Sequence, residues 1–360
     1  MITKKAPGKL YIAGEYAIVE PGSKAIVLAI NQFVTASIEE SKNDSGKIIS
    51  KQYQNDILSW RRKGSSLIVN NRENPYHYIL SAISITEEYA LLQNKCLKTF
   101  NLYINSELDS KDGKKYGLGS SAAVTVATIK AVAAFYNLKL TKKILFKLAS
   151  IAHLTVQGNG SLGDIAASVY GGWIAYQSFN RDWLLNSLEN RDLKYILNTE
   201  WPDLNVELLS LPSDLKLCIG WTGHPASTSE LVDEVASKGY QETKNYHDFI
   251  KKSNDCLDRL IKSFKASDSQ NILNGITENR HLLQGLSQFS KVTIETDLLT
   301  KLCDIAEHFG GAGKSSGAGG GDCGIALLPK KINVSKLKST WIANNIVPLD
   351  LNVHEVLDLS

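Results

Sequence analysis

The sequence contains few cysteines, and none of them is spaced for a metal site or a disulfide framework. Five cysteines are scattered through 360 residues, between Cys96 and Cys323, and no CxxC pair occurs. An odd, scattered set of this kind argues against zinc ribbons and small disulfide-stabilised secreted folds. A reduced compartment, the cytoplasm, is therefore the expected location.

Charge of one sign and long apolar runs are also lacking. The 40 Lys and Arg residues nearly balance the 37 Asp and Glu residues, so the net charge is only +3. This balance favours neither nucleic acid nor a membrane surface as a partner. The least polar stretch, residues 121–136, contains Lys130 and is too short to span a bilayer. Gly14 and Glu15 interrupt the apolar segment that a signal peptide would need after the N-terminal lysines.

Several common catalytic motifs are absent or incomplete. HExxH and clustered histidine ligands do not occur. The GxSxG match at 313–317 is not a nucleophile elbow, because a predicted helix precedes it and a predicted strand follows it. Metal hydrolases and serine esterases therefore have no support. GxGxxG matches occur at 158–163 and 319–324, but neither follows a predicted strand and opens a predicted helix, as a dinucleotide-binding turn must. The residues Gly313-Lys314-Ser315 imitate the end of a Walker A loop, whose first glycine would fall at His308.

Glycine, by contrast, is concentrated in two segments that are suited to phosphate. The first is GLGSSAA at 117–123, and the second lies within 310–324, where eight of fifteen residues are glycine. Glycine lets backbone N–H groups approach a ligand closely, and a cluster of N–H groups binds a polyanion. The first segment leads into a predicted helix over 120–136, whose N-terminus would add its dipole to the site.

The length suits two domains of mixed helix and strand. We predict a loop at 158–163 and an inter-domain connection within 180–214. Apolar periodicity and turn residues predict strands at 10–19, 25–38, 47–53, 67–70, 99–105, 171–178, 215–222, 324–328 and near 347. They predict helices at 76–92, 120–136, after the capping residue Thr141, and at 227–237, 243–264, 268–286, 296–309 and 334–344.

A further motif, PGKLYIAGEYAIVEPG at 7–22, is strand-like but places Lys9, Glu15 and Tyr16 among apolar neighbours. In chain order it is the first motif, GLGSSAA is the second and the glycine run at 310–324 is the third. An edge strand with solvated polar residues would explain this motif by itself. A tight strand-to-helix turn without a ligand would likewise explain GLGSSAA by itself. The glycine run at 310–324 is harder to explain as a flexible linker, because predicted helix and strand flank it closely.

The ordered set of these three motifs, with NGSLGD at 159–164 and GWT at 220–222, resembles the GHMP small-molecule kinases. Among these kinases, the motif sequences are most similar to those of bacterial-type phosphomevalonate kinases. The resemblance implies an α+β, two-domain GHMP kinase fold. An N-terminal α/β sandwich-like domain would cover 1–200 and a C-terminal ferredoxin-like domain 201–360, with the active site in the cleft between them.

The activity that the resemblance implies is ATP-dependent phosphorylation of phosphomevalonate to diphosphomevalonate, in the mevalonate route to isoprenoids. ATP and Mg²⁺ would be the cofactors, and the partners would be small molecules only. The protein would be a monomer or a homodimer. Two alternatives stay open: another GHMP kinase, such as a mevalonate kinase, and a non-catalytic nucleotide-binding relative.

The same resemblance assigns roles to individual residues. Asp164 would be the general base or charge-orienting carboxylate, with Lys9 beside it; taken alone, Asp164 would equally suit a helix N-cap. Ser121 would contribute to the metal site. The nucleotide would be bound by Lys115, Gly117, Leu118, Gly119, Ser120, Ser121 and Ala122. The acceptor would be bound by Lys9, Tyr16, Asn159, Ser161, Asp164, Ser316, Gly317 and Ala318.

Two departures from the family pattern bear on chemistry. Lys114 and Lys115 precede the phosphate loop where relatives often have a proline, and two cations suit an acceptor that already carries a phosphate. Mevalonate kinases have a metal-binding glutamate eleven residues before the aspartate, where this chain has His153. Mg²⁺ would then rest on ATP oxygens, Ser121 and water. The sequence does not identify the residues of the adenine pocket, and residues 53–74 are a candidate region for it.

Overall fold

The computed structural model describes residues 1–51, 57–71, 73–108, 116–223, 231, 235 and 243–355. These residues form two sheets with helices packed on them. None of the helices in these ranges is long and apolar enough to cross a membrane.

The first sheet has the order β5-β4-β3-β6-β2-β7-β8, and β1 pairs with β2 beside this path. The pairing of β1 with β2 is antiparallel and runs from Ile2 opposite Ile38 to Ala13 opposite Ile26. The strands are β1 (Ile2–Ala13), β2 (Lys24–Glu40), β3 (Ser45–Ser50), β4 (Ile57–Lys63), β5 (Ser66–Val69), β6 (Phe100–Ser106), β7 (Trp173–Gln177) and β8 (Asn205–Leu209). The helices that accompany this sheet are α1 (His77–Leu92), α2 (Ser120–Phe135), α3 (Lys142–Gln157), α4 (Gly163–Tyr170), α5 (Arg181–Asn190) and α6 (Leu193–Asn198).

The second sheet is antiparallel and has the order β10-β11-β9-β12. Numbered within this half of the chain, the order is 2-3-1-4, which is that of a ferredoxin-like sheet. Its strands are β9 (Leu215–Trp221), β10 (Ala312–Ser315), β11 (Cys323–Pro329) and β12 (Val347–Leu349). Its helices are α7 (Lys244–Lys265), α8 (Ser269–Ser290), α9 (Asp297–His308) and α10 (Val334–Ala343). The two sheets, each with its own helices, form the two-domain α+β architecture that the resemblance implies.

Helix α2 lies at the centre of the first domain. It contacts β1, β2, α1, α3 and α4, and ten of its sixteen residues are buried. Small side chains such as those of Ala122, Ala123 and Ala127 let the neighbouring backbones approach closely. This packing fixes the N-terminus of α2, and therefore the phosphate loop before it, against β1.

The predicted strand over 10–19 is wrong beyond Ala13. Gly14 has φ +94° and Tyr16 has φ +62°, so the chain leaves the extended conformation and forms a short 3₁₀ turn at Ala17–Val19. A side chain at Gly14 would place its Cβ 2.3 Å from the carbonyl oxygen of Lys24. The turn carries Glu15 and Tyr16 away from the sheet and toward the second domain.

The segment 180–214 is more than a connection, because it contains α5, α6 and β8. Since β8 pairs with β7, the first sheet extends to residue 209, and the division of the domains at residue 200 stays a prediction.

Strand β4 is an element that the sequence patterns do not predict. The predicted helix at 227–237 lies outside the described residues, except for Leu231 and Val235.

Candidate active site

The phosphate loop has the geometry that its sequence predicts. Gly117 and Gly119 both adopt the left-handed conformation, with φ of +74° and +79°, and Gly119 is the N-cap of α2. No side chain caps this helix end, so the first N–H groups of α2, at Ser120, Ser121 and Ala122, face the loop without a capping acceptor. Such an end binds an anion. Lys115 lies outside the described residues.

Lys9 joins the phosphate loop to the first motif. Its backbone N–H donates to the carbonyl oxygen of Leu118 at 2.8 Å, and its ammonium donates to that of Gly117 at 2.9 Å. The side chain is 7% exposed, and a Cβ on Gly119 would lie 2.8 Å from its Cγ. Within the described part of the chain, Gly117 is the one acceptor of this ammonium. Two of its three N–H groups are therefore left for a phosphate.

The NGSLGD loop places Asp164 in the first turn of α4. The N-cap is Leu162, so Asp164 is not the capping residue, although its carboxylate accepts the N–H of Ile165 at 2.9 Å. Among the described residues, Asp164 and Lys9 make no ion pair with each other. Tyr11 is near both residues.

Tyr11 is a site residue that is not predicted from the sequence. Its hydroxyl bonds the Ser161 hydroxyl at 2.9 Å, and the ammonium of Lys9 lies 5.4 Å from its ring centre. Burial raises the pKa of Tyr11 strongly, and the negative charge of Asp164 raises it further. Tyr11 is two residues from Lys9 on the same strand, so both side chains project from one face of β1. This period-two spacing is the signal that indicates Tyr11.

The third motif meets the first at two predicted substrate residues. The Tyr16 hydroxyl donates to the carbonyl oxygen of Ala318 at 2.6 Å, and the Ser316 hydroxyl donates to that of Tyr11 at 2.8 Å. A Cβ on Gly317 would lie 4.0 Å from the Lys9 ammonium. Tyr16, Ser316, Gly317 and Ala318 are thus brought to the same place as Lys9.

Asn159 lies just after α3 and is hydrogen-bonded to the last residue of that helix. Its side-chain oxygen accepts a hydrogen bond from the Gln157 amide at 3.2 Å, at the start of the NGSLGD loop.

Asp322 is a neighbour of the phosphate loop that the sequence does not indicate as a site residue. Its carboxylate rests against Gly117, where a Cβ would lie 2.3 Å from the Asp322 Oδ2 atom. Gly117 is therefore required by packing as well as by its φ angle.

Ser121, the predicted metal residue, is paired with His153. The His153 Nε2 atom lies 3.2 Å from the Ser121 hydroxyl oxygen, and its ring stacks on Tyr78 at 4.8 Å. Burial lowers the pKa of His153, which favours the neutral ring. No cluster of three or more His, Cys, Asp or Glu suited to a metal occurs in the described ranges. A hard cation here would depend on ligand oxygens and the Ser121 hydroxyl.

Comparison with known proteins agrees with this geometry. The family model for the N-terminal domain of GHMP kinases matches residues 77–172, and that for the C-terminal domain matches 260–346. A phosphomevalonate kinase from a Streptomyces species is 36% identical over 97% of this chain and 96% of its own length. The chain belongs to the GHMP kinases. A mevalonate kinase of Methanocaldococcus jannaschii, also a relative, is 28% identical over 93% of this chain and 94% of its own length.

Solved structures show the same GHMP kinase fold over the whole chain. A Streptococcus pneumoniae phosphomevalonate kinase in complex with phosphomevalonate and AMPPNP has a TM-score of 0.86 and 32% identity, covering 98% of this chain and 100% of its own. A Listeria innocua protein has a TM-score of 0.92 and 39% identity, covering 98% and 97%. The predicted resemblance to GHMP kinases, with phosphomevalonate kinases among the relatives, is confirmed.

Proposed function

We propose that this GHMP kinase transfers the γ-phosphoryl group of ATP to the phosphate of phosphomevalonate, giving ADP and diphosphomevalonate. The observation that carries the proposal is the position of Lys9, whose ammonium bonds the phosphate loop at Gly117 and lies 4.0 Å from a Cβ position on Gly317. A cation between a nucleotide-type loop and a substrate-type loop is what phosphoryl transfer requires. The acceptor is proposed from the phosphomevalonate kinases among the relatives.

In the proposed reaction, the N–H groups at the start of α2 bind the donor phosphates. An acceptor phosphate monoester oxygen attacks the γ-phosphorus, and the bond from that phosphorus to the bridging oxygen of ADP breaks. The negative charge on the equatorial oxygens is stabilised by Lys9. Because a phosphate monoester has a second pKa of about 6, the acceptor is mostly ionised at neutral pH. Asp164 is therefore proposed as the general base that takes the residual proton where one remains.

ATP and Mg²⁺ are proposed as the cofactors. The Ser121 hydroxyl, at the N-terminus of α2 and beside His153, is the protein oxygen that would hold the metal, with phosphate oxygens and water completing its shell. When bound, Mg²⁺ supplies charge neutralisation on the β- and γ-phosphates. A neutral imidazole beside Ser121 leaves the hydroxyl oxygen able to ligate, so the donor set fits the metal.

The adenine base is proposed to occupy a cavity of about 570 Å³ between β5 and α1. Leu67, Val69 and Leu80 supply apolar walls, and Ser84 supplies a hydroxyl. Another lining residue, Ser81, donates to the carbonyl oxygen of Ala152, the residue before His153. Ser81 therefore links the cavity to the backbone beside His153, whose Nε2 atom lies 3.2 Å from the Ser121 hydroxyl.

Filling this cavity tests the adenine proposal. Ser84→Trp should raise the KM for ATP about tenfold or more, while the KM for the acceptor stays within threefold. Leu92→Trp, at an exposed position at the end of the same helix, is the control. An unchanged KM for ATP in a folded Ser84→Trp variant would place the base elsewhere.

A mevalonate kinase activity is the second candidate, because a relative with that name aligns over nearly the whole chain. The His153 at the position of the mevalonate kinase glutamate favours the first proposal. We place the protein in the cytoplasm, as a monomer or homodimer; all five cysteines are free thiols, which suits a reduced compartment. Assays of ADP release with phosphomevalonate and with mevalonate separate the two activities.

A further inference from the structure

A buried ion pair joins the first motif to the third. Lys314, on β10, is fully buried, and Glu15, in the turn after β1, is 3% exposed. The Lys314 ammonium lies 2.5 Å from the Glu15 Oε1 atom, although the two residues are 299 positions apart. Neither residue is placed among the nucleotide or acceptor contacts by the sequence. The pair is therefore a buried charged contact that the proposed mechanism does not use.

The hydrogen bonds around this pair are incomplete. The Lys314 ammonium also donates to the carbonyl oxygen of Ser315 at 2.6 Å, and Glu15 Oε1 also accepts the N–H of Gly317 at 3.3 Å. The second carboxylate oxygen, Oε2, is buried and has no hydrogen-bond partner among the described residues. A buried pair with an unmet oxygen contributes little net stability relative to apolar side chains of similar size. Stability alone does not explain this pair.

The position of the Glu15–Lys314 pair, next to the Gly317 backbone, explains it better than stability does. Gly317 has φ +84° and no side chain, so packing cannot hold it, and a glycine loop is costly in entropy to order. On either side of Gly317, Ser316 and Ala318 are held by neutral bonds to Tyr11 and Tyr16. The Glu15 carboxylate holds the remaining residue of this three-residue segment, and Lys314 holds the carboxylate.

We propose that Glu15 is a positioning residue that fixes the backbone of Gly317 at the acceptor site, with Lys314 fixing Glu15. This inference rests on the proposed function of the same site. Glu15 acts through Gly317, which lies next to the Lys9 ammonium, and has no contact with the reacting groups. A displacement of about 1 Å at such a site can cost a factor of about 10² in rate.

Two double variants separate positioning from stability. In Glu15→Leu with Lys314→Met, both charges and the acceptor for the Gly317 N–H are removed. In Glu15→Gln with Lys314→Met, the charges are removed but an amide oxygen remains as the acceptor. Both variants should unfold at denaturant concentrations close to that of the wild type, because apolar replacement of a buried pair is close to neutral.

The first double variant should lower kcat at least about tenfold, and the second should recover most of this loss. The matched control is Lys98→Met with Glu40→Leu, an exposed ion pair, which should leave kcat unchanged. A folded Glu15→Leu, Lys314→Met variant with kcat within twofold of the wild type would overturn the proposal. So would equal kcat values for the two double variants.

The single substitution Glu15→Asp provides a second test of the proposal if the Glu15→Leu, Lys314→Met variant does not fold. It keeps the charge and withdraws the carboxylate by one methylene, so kcat should fall at least about fivefold with little change in the KM for ATP. An unchanged kcat in this variant would also overturn the proposal. If the wild type phosphorylates mevalonate rather than phosphomevalonate, the proposed function fails, and the same variants test Glu15 with mevalonate as the acceptor.

Discussion

Lys9 donates a hydrogen bond from its ammonium to the carbonyl oxygen of Gly117 at 2.9 Å, so the phosphate loop itself positions the cation of the first motif. The contact spans 108 positions of sequence and joins β1 to the loop before α2. Because the ammonium is nearly buried, its charge acts with little screening by solvent. Lys9 is accordingly the residue on which the proposed transfer depends most.

Replacement of Lys9 tests its assigned role. Lys9→Met keeps the length of the stem that packs on Gly119 and removes the charge, so kcat should fall about 10²–10³-fold. The KM for the acceptor should rise more than the KM for ATP. Lys4→Met, on the exposed part of the same strand, is the control and should behave as the wild type. Steady-state kinetics with each substrate varied in turn provide the measurement.

Asp164→Asn should remove most turnover and leave nucleotide binding within a few fold. A catalytic carboxylate is commonly worth about 10²–10⁴ in rate, and the Asn side chain still offers an oxygen to the Ile165 N–H. Single-turnover kinetics and calorimetric titration with an ATP analogue measure the two quantities. A variant that retains more than about a tenth of the wild-type rate would reduce Asp164 to a structural residue of the first helical turn.

The phosphate loop is tested at Gly119. Gly119→Ala introduces a Cβ 2.8 Å from the Lys9 Cγ and disfavours the φ of +79°, so the KM for ATP should rise about tenfold or more. Gly310→Ala carries the same backbone strain at φ +80° in open space, and is the matched control. Equal KM values for ATP in the two variants would show that the phosphate loop does not bind the nucleotide.

Arg280 is predicted to stabilise the second domain. Its guanidinium is nearly buried and bonds Glu295, whose side chain is 8% exposed, at 2.7 Å. Arg280→Met should lower the free energy of unfolding by about 3–5 kcal/mol, since it leaves the buried Glu295 carboxylate without a positively charged partner. Arg259→Met breaks the exposed pair with Glu278 and should cost less than about 1 kcal/mol. Denaturant unfolding of both variants measures the difference.

Local sequence patterns predict the parts of the site that are built from local structure. The small side chains of α2 and the two left-handed glycines before it are visible as a pattern, and they place the phosphate loop. The helices α5 and α6 are missed, although their N-caps are present. Asn180 accepts the N–H of Trp183 at 2.9 Å, and Asp192 accepts that of Tyr195 at 2.7 Å.

Contacts between residues that are far apart in the sequence cannot be predicted from local patterns. The β-branched residues after Ala13 favour a continued strand, but close approach of the Lys24 backbone to Gly14 prevents it. The pairing of Glu15 with Lys314 depends on how the two domains meet, and no local spacing encodes it. Tyr11 is intermediate: its shared face with Lys9 is predictable, while its bond to Ser161 is not.

The most direct test of the proposed function is the choice of acceptor by the wild-type protein. ADP release should be measured with ATP and Mg²⁺ in the presence of phosphomevalonate, of mevalonate, and of neither, with the product mass determined in each case. We expect diphosphomevalonate to form in step with ADP, with a kcat/KM at least about a hundredfold above that for mevalonate. Efficient phosphorylation of mevalonate, or no acceptor-dependent ADP release at all, would contradict the proposed function.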